Sequence, residues 1–193
     1  IANGQTGNKN EKGFYKQVGD ERQVIDLSSG NYGVHERLKT PLLEEAEKIG
    51  ISFIIKDTSI YGLYIWDVIS ETLCYAASLV PEVTDDLTQI DDAMKLGYNW
   101  VQGPFELLDE IGIEYFVDRL KVDGRDVPEF LLKGINNKFY NNSESGLSSL
   151  SPDGNLKPIM RPDGVLRFSE VRQTLKAINS NESASWFEYE GAA

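Results

Sequence analysis

Ile90-Asp91-Asp92-Ala93-Met94-Lys95-Leu96-Gly97-Tyr98-Asn99-Trp100-Val101-Gln102-Gly103-Pro104-Phe105-Glu106-Leu107-Leu108-Asp109-Glu110-Ile111-Gly112 is the stretch from which the rest of the chain can be read. It encodes two helices and the turn between them. Gly97 marks the end of the first helix, since glycine accepts the left-handed backbone that closes many helices. Gly103-Pro104 opens the second, where proline suits the first helical position and its missing N–H is not needed. Phe105, Leu107, Leu108 and Ile111 then recur at the three- and four-residue spacing of one helical face. Gly112 closes that helix, and Tyr98 to Gln102 forms the connection.

Upstream, Thr84 to Leu96 reads as the first of these helices. Thr88 and Asp91 have capping-box spacing, and a start at Thr84 fits equally well. Thr58 to Val80 is the most apolar segment. Ile60, Leu63, Trp66, Leu73, Ala76, Ala77 and Val80 recur at helical spacing, and Tyr64, Ile65, Val68, Ile69 and Tyr75 fill much of the other face. A helix apolar nearly all round is expected to be buried on most sides, and Pro81 is expected to break it. Earlier still, Thr40 before Pro41 predicts a capped helix that ends at Gly50. The front is rich in Gly and Asn. There Phe14 to Val18 and Gln23 to Leu27 flank Gly19-Asp20, as in a short hairpin or docked arm.

Downstream, Glu114 to Val122 predicts a helix burying Phe116, Val117 and Leu120. Asp123-Gly124 is a turn, and Val127-Pro128 begins a last short helix with Phe130 and Leu131. From Asn136 to Gly164 the composition shifts to Asn, Ser, Gly and Pro, with Pro-Asp-Gly turn signals at Pro152 and Pro162. This reads as a linker-like or docked irregular segment. Val165 to Ile178 suggests a short strand and a helix capped at Ser169, and Ser183 to Tyr189 suggests one more strand. The expected class is mainly α, with short irregular or β arms at both ends. The expected divisions are 1–36, 37–140 and 141–193.

Composition narrows the function. The 193 residues carry 19 basic and 31 acidic side chains, a net charge of -12. Such a surface repels phosphate backbones and anionic lipid, so neither nucleic acid nor membrane is an expected partner. One Cys and one His leave no internal disulfide and no zinc site of the common kinds. No uncharged apolar run reaches the roughly 18 residues of a membrane span, so a cytoplasmic location is expected. The first residue, Ile1, suggests a piece of something longer.

Little reactive chemistry is encoded. His35, the sole imidazole, lies between turn signals and reads as an exposed loop residue. Cys74, within the apolar helix, reads as a small buried hydrophobe. There is no Gly-x-Gly-x-x-Gly after a strand and no Gly-Lys-Ser/Thr, so no nucleotide cradle is visible. Residues 82–129 hold thirteen carboxylates against four basic groups. They read as a solvated acidic face, or as a docking face for a basic partner. Asp67 and Glu71, four apart, share one face of the apolar helix, as a solvent or interface stripe or as a functional polar track. No metal ligands and no catalytic residues are assigned.

The opening stretch resembles the helical domain of 3-hydroxyacyl-CoA dehydrogenases. In that family an Asp-x-Ala-Met-x-x-Gly helix leads into a Gly-Pro-Phe-Glu-Leu-x-Asp-x-x-Gly helix. Gly7-Asn8-Lys9-Asn10-Glu11-Lys12-Gly13-Phe14-Tyr15 is similar to the Gly-x-Lys-x-Gly-x-Gly-Phe-Tyr segment that ends a first helical domain of the family. Val165 to Tyr189 resembles a connector into an enoyl-CoA hydratase domain. The resemblance implies the second helical repeat of a multifunctional fatty-acid oxidation protein. Its NAD-binding domain, with a catalytic His–Glu pair, and its first helical domain would lie upstream, and a hydratase-like domain downstream. It also implies a parent that oxidises 3-hydroxyacyl-CoA to 3-ketoacyl-CoA with NAD, and a fragment that is inactive alone. The family's catalytic Asn aligns near Trp66, and no Asn occurs between Thr58 and Val80. The expected role is therefore structural and domain-docking, with an exposed apolar patch where the first repeat would sit. The alternative is an acyl-CoA-binding module without redox chemistry. Tyr98, Trp100 and Phe105, near one turn, are the candidate interface residues, although core packing accounts for them too.

Overall fold

The computed structural model describes residues 6, 7, 10, 12–34, 39–143, 146–160, 165, 175–181 and 184–188. The chain divides into two compact units, one running to Lys48 and the other starting at Ile49.

In the first unit, β1 (Tyr15–Val18) and β2 (Glu21–Ile25) form an antiparallel hairpin with Tyr15 opposite Val24 and Val18 opposite Glu21. Gly19 takes φ 60° in the turn, as the sequence signal requires. A third strand, β3 (Tyr32–Val34), pairs with β2. The intervening turn is built by Asp26, whose Oδ1 accepts the amides of Ser28 and Ser29 at 2.9 and 2.7 Å. Helix α1 (Pro41–Ile49) follows, with Thr40 Oγ1 accepting the Leu43 amide at 3.2 Å, so the Thr-Pro start is as expected.

The second unit is mainly helical. A short helix α2 (Ile51–Ile55), unmarked by any sequence signal, precedes the long α3 (Ile60–Glu82). Ser59 caps α3. Val80 leaves helical geometry at φ -103° and ψ 119°, because a residue before proline is pushed out of the helical region. Helix α4 (Leu87–Tyr98) is capped by Asp86, whose Oδ1 accepts the Thr88 amide at 2.9 Å. The expected Thr88–Asp91 box is thus corrected, since Thr88 lies inside the first turn and Asp91 serves elsewhere. Gly97 also lies inside α4, and Asn99, left-handed at φ 57°, ends it. Then come α5 (Pro104–Ile111), α6 (Ile113–Val122) and α7 (Glu129–Gly134). Helix α3 packs against α5 and α7.

The segment read as linker-like contains a sheet of β4 (Tyr140–Ser143), β5 (Gly146–Leu150) and β6 (Leu156–Pro158), all antiparallel. Its first turn of chain is part of the core. Phe139 is fully enclosed, with its ring centroid 5.0 Å from that of Phe105, and Leu150 is buried beside it. The Pro152-Asp153-Gly154 turn is present, with Gly154 at φ 84°. The Pro162 turn and the helix capped at Ser169 fall outside the described residues. Farther on, β7 (Asn179–Ser180) pairs with β8 (Ser185–Trp186).

Trp66, Leu73 and Ala77 of α3, Leu87 of α4, Phe105 and Leu108 of α5, Phe116 and Leu120 of α6 and Leu131 of α7 fill the core. The long helix departs from expectation. Trp66, Leu73, Ala76, Ala77 and Val80 are buried, but Ile60 is 76% exposed, Tyr64 66% and Tyr75 67%. One side of α3 therefore faces the core, and the other, apolar apart from Asp67 and Glu71, does not.

Candidate docking face and buried polar clamp

At 100° per residue, Ile60, Tyr64, Asp67, Val68, Glu71 and Tyr75 fall on one side of α3. All six are exposed. Leu63 and Tyr61 flank them and are also exposed. Two charges interrupt this face. Glu71 is paired with Arg125 at 2.9 Å, and Arg125 also donates to the buried Ser70 hydroxyl. Asp67 is solvent-facing, so Asp67 and Glu71 form a stripe along the open side rather than a track through the core. Large exposed apolar side chains on both flanks of these charges make this side a candidate docking face. In length and apolar character α3 also meets the requirement for a membrane span, although its inner side is buried within the protein.

On its inner side, Trp66 is held from three directions. Its Nε1 donates to Asp123 Oδ2 at 2.7 Å, its ring lies 4.1 Å from the Arg119 guanidinium, and Phe116 meets it edge-on at 5.2 Å. Arg119 donates in turn to the Ile55 carbonyl and to the Tyr115 hydroxyl. The position that the resemblance aligns with a catalytic Asn is thus filled by a locked indole, which has no acceptor and no amide to offer a substrate.

A second polar cluster joins α4, α5 and β4. Gly103 caps α5 but has no side chain, so the capping oxygens come from another helix. Asp91 Oδ1 accepts the Phe105 amide at 2.9 Å, and Oδ2 accepts the Glu106 amide at 3.2 Å. Tyr140 Oη donates to the same Oδ2 at 2.9 Å. Glu106 returns the favour locally, accepting the Gly103 amide at 2.8 Å, while Lys95 donates to its other oxygen at 2.6 Å. One helical turn on, Asp109 accepts the amides of Phe139 and Tyr140, each at 2.8 Å. Burial outweighs these bonds and pushes Asp91 up to about 7. The same cause raises Asp109. Burial, then the Asp91 carboxylate, holds the Tyr140 phenol above its ordinary range.

Most of the acidic stretch is exposed, as a solvated face would be, and this cluster corrects that reading at Asp91 and Asp109. Asp91 is fully enclosed and Asp109 is partly buried, and both bind backbone amides. Among the three candidate interface residues, Tyr98 is 74% exposed, Trp100 is partly buried against the core, and Phe105 is wholly inside it. Phe105 is therefore core, because its ring completes the cluster with Phe130 and Phe139. Cys74 is half-buried, and desolvation raises its thiol. His35 lies outside the described residues. Among the described residues no three His, Cys, Asp or Glu side chains converge as a metal site would need. The described strands are all antiparallel, so the Gly-rich strand–turn–helix of a dinucleotide site is not among them and these residues do not fit NAD.

No family model and no solved structure matches the chain. A protein of Bacillus subtilis (strain 168) named as a 3-hydroxyacyl-CoA dehydrogenase is 32% identical over 194 residues, covering 96% of this chain and 24% of its own length. A protein of Rickettsia felis named as a fatty acid oxidation complex trifunctional enzyme is 38% identical over 111 residues, covering 53% of this chain and 14% of its own. Its counterpart in Rickettsia prowazekii is 37% identical over the same length. The chain thus spans a quarter or less of these relatives.

Proposed function

We propose that this chain is a helical repeat of a 3-hydroxyacyl-CoA dehydrogenase, from within a fatty-acid oxidation protein, and that its task is structural. The parent oxidises 3-hydroxyacyl-CoA to 3-ketoacyl-CoA with NAD in the cytoplasm. The repeat docks to the first helical domain and helps to hold the NAD-binding domain and the acyl-CoA cleft in register, upstream of a hydratase-like domain. The observation that carries this reading is the open apolar side of α3, set on a helix whose other side is completely packed. The names of the relatives supply the reaction class.

The chain's own residues support the non-catalytic part of the proposal. Its buried carboxyl, Asp91, is occupied by two helix amides and a phenol, and Trp66 is occupied by Asp123 and Arg119. Neither presents a group to a reacting atom. NAD, whose nicotinamide accepts the hydride, belongs to residues outside this set.

The test uses acetoacetyl-CoA and NADH with the purified chain. The expected result is no oxidation of NADH and no calorimetric binding of acetoacetyl-CoA tighter than millimolar. Turnover by the chain alone would overturn the structural reading. Micromolar binding without turnover would replace it with the acyl-CoA-binding module.

A further inference from the structure

The open side of α3 does not stop at Tyr75. Ser78 lies eighteen positions after Ile60, about five helical turns, so it faces the same way, and it is exposed. At Ser78 a cavity of about 490 Å³ opens between the end of α3, the start of α7 and the Pro152 turn. Val80, Pro81, Val127, Pro128 and Phe130 give it apolar walls. Asp126 and Glu129 line it too, and both are exposed.

The basic groups around this cavity are already committed. Lys133 lines it, but its ammonium is held by the Pro152 carbonyl at 2.7 Å and by Glu129 at 3.4 Å. Arg125, next to Asp126 in sequence, is taken by Glu71 at 2.9 Å and by the Ser70 hydroxyl. Asp126 has no ion pair among the described residues. The surrounding field is negative as well, since residues 82–129 hold thirteen carboxylates against four basic groups. A guest with an apolar stem and a positive tip matches both features. Its stem covers the walls, and its tip stays at the wet rim beside the carboxylates. Lysine has this form, with four methylenes and a compact ammonium that reaches toward water. Arginine gains most from a flat stack or a bidentate carboxylate, and the Phe130 ring here is buried.

Resting on the docking reading above, we propose that this cavity is a lysine-binding pocket, in which the partner covering α3 anchors a lysine flanked by apolar residues. A second copy of this chain is a poor occupant, because it brings another net charge of -12 toward the same carboxylates. Nucleic acid and anionic lipid carry the wrong sign too. The apolar walls supply the attraction, and the carboxylates select the charge. An exposed ion pair is worth up to about fivefold in affinity.

The probe is the peptide acetyl-Gly-Leu-Lys-Leu-Gly-amide, titrated into the whole chain at low salt. Backbone amide NMR signals of Val80, Val127 and Phe130 report its binding. Analogues with norleucine or glutamate in place of the lysine separate charge from apolar bulk. The expected result is a shift of these signals, with the lysine peptide bound about fivefold more tightly than the norleucine peptide and the glutamate peptide weakest. In D126N/E129Q the lysine and norleucine peptides should bind alike. Both positions are exposed, so this variant keeps its core. Three outcomes overturn the pocket: no shift at these amides, norleucine or glutamate bound as tightly as lysine, or an undiminished preference for lysine in D126N/E129Q. Turnover by the chain alone would remove the docking reading and leave these titrations unchanged, so the two fail separately.

Discussion

Gly103 and Asp91 illustrate how one residue's absence of a side chain makes room for another's function. A Cβ at position 103 would sit 2.2 Å from Asp91 Cγ and 2.3 Å from its Cβ. Neither neighbour can retreat, because Asp91 is pinned by two amides of α5 and by Tyr140. Gly103→Ala should therefore destabilise the protein by about 3 kcal/mol, near the upper range for overpacking. Removing the carboxylate in Asp91→Ala leaves two helix-end amides and a phenol unpaired, at about 2–4 kcal/mol. Urea unfolding of both variants checks the pair, and a G103A protein as stable as the wild type would show that the α4–α5 junction can relax. The Gly-Pro start of α5 was legible in the sequence, since it rests on local backbone preference. The partner of that start was not. Asp91 looks like any surface acid, and even like a cap of its own helix, until the fold brings it 14 positions along the chain to Phe105.

At the scale of the element, α3 decides what the molecule can join. Its inner side is packed by Trp66, Leu73, Ala76 and Ala77, and its outer side presents Ile60, Tyr64, Val68 and Tyr75. Helical spacing predicted the helix and the break before Pro81, but all-round apolarity predicted burial on most sides. Periodicity reports what a helix could bury and is silent on whether the covering surface is part of the chain described. If the outer side is a docking face, its residues owe nothing to the stability of this chain. The double substitution Tyr64→Glu with Tyr75→Glu should then leave stability within about 0.5 kcal/mol, the usual range for surface sites. It should also abolish any concentration-dependent self-association, because each carboxylate adds charge to a chain already at -12. Sedimentation velocity over a range of concentrations, beside thermal unfolding, tests both halves. A large loss of stability would mean that these tyrosines already have a structural task within the chain.

Over the whole second unit, the helical body and the sheet that follows it share one core. Composition marked residues after Asn136 as linker-like, since Asn, Ser, Gly and Pro are what turns are made of. Among the described residues there, Phe139 and Leu150 enter the hydrophobic core, and Tyr140 packs against it. Phe139 fills the space between Phe105 and Phe130, with centroids 5.0 and 5.4 Å away, and Leu150 is enclosed near it. The Leu150 amide bonds to the Phe139 carbonyl at 2.8 Å, so the two are fixed together. A short β segment that contributes two large side chains to a helical core carries no periodic signal, which is why the helices were legible and this attachment was not. A chain ending at Asn136 would lose Phe139 and Leu150, would strip Asp109 of both its amide partners and would strip Asp91 of the Tyr140 phenol. That combination should abolish cooperative unfolding and produce strong binding of a hydrophobic dye, as in a compact state without fixed packing. The milder form of the same claim is Phe139→Ala in the complete chain, which should cost about 3–5 kcal/mol. If the shortened chain unfolds cooperatively at an unchanged midpoint, the sheet is an appendage; if both variants behave as expected, the helices cannot close their own core, and Phe139 is the residue that closes it.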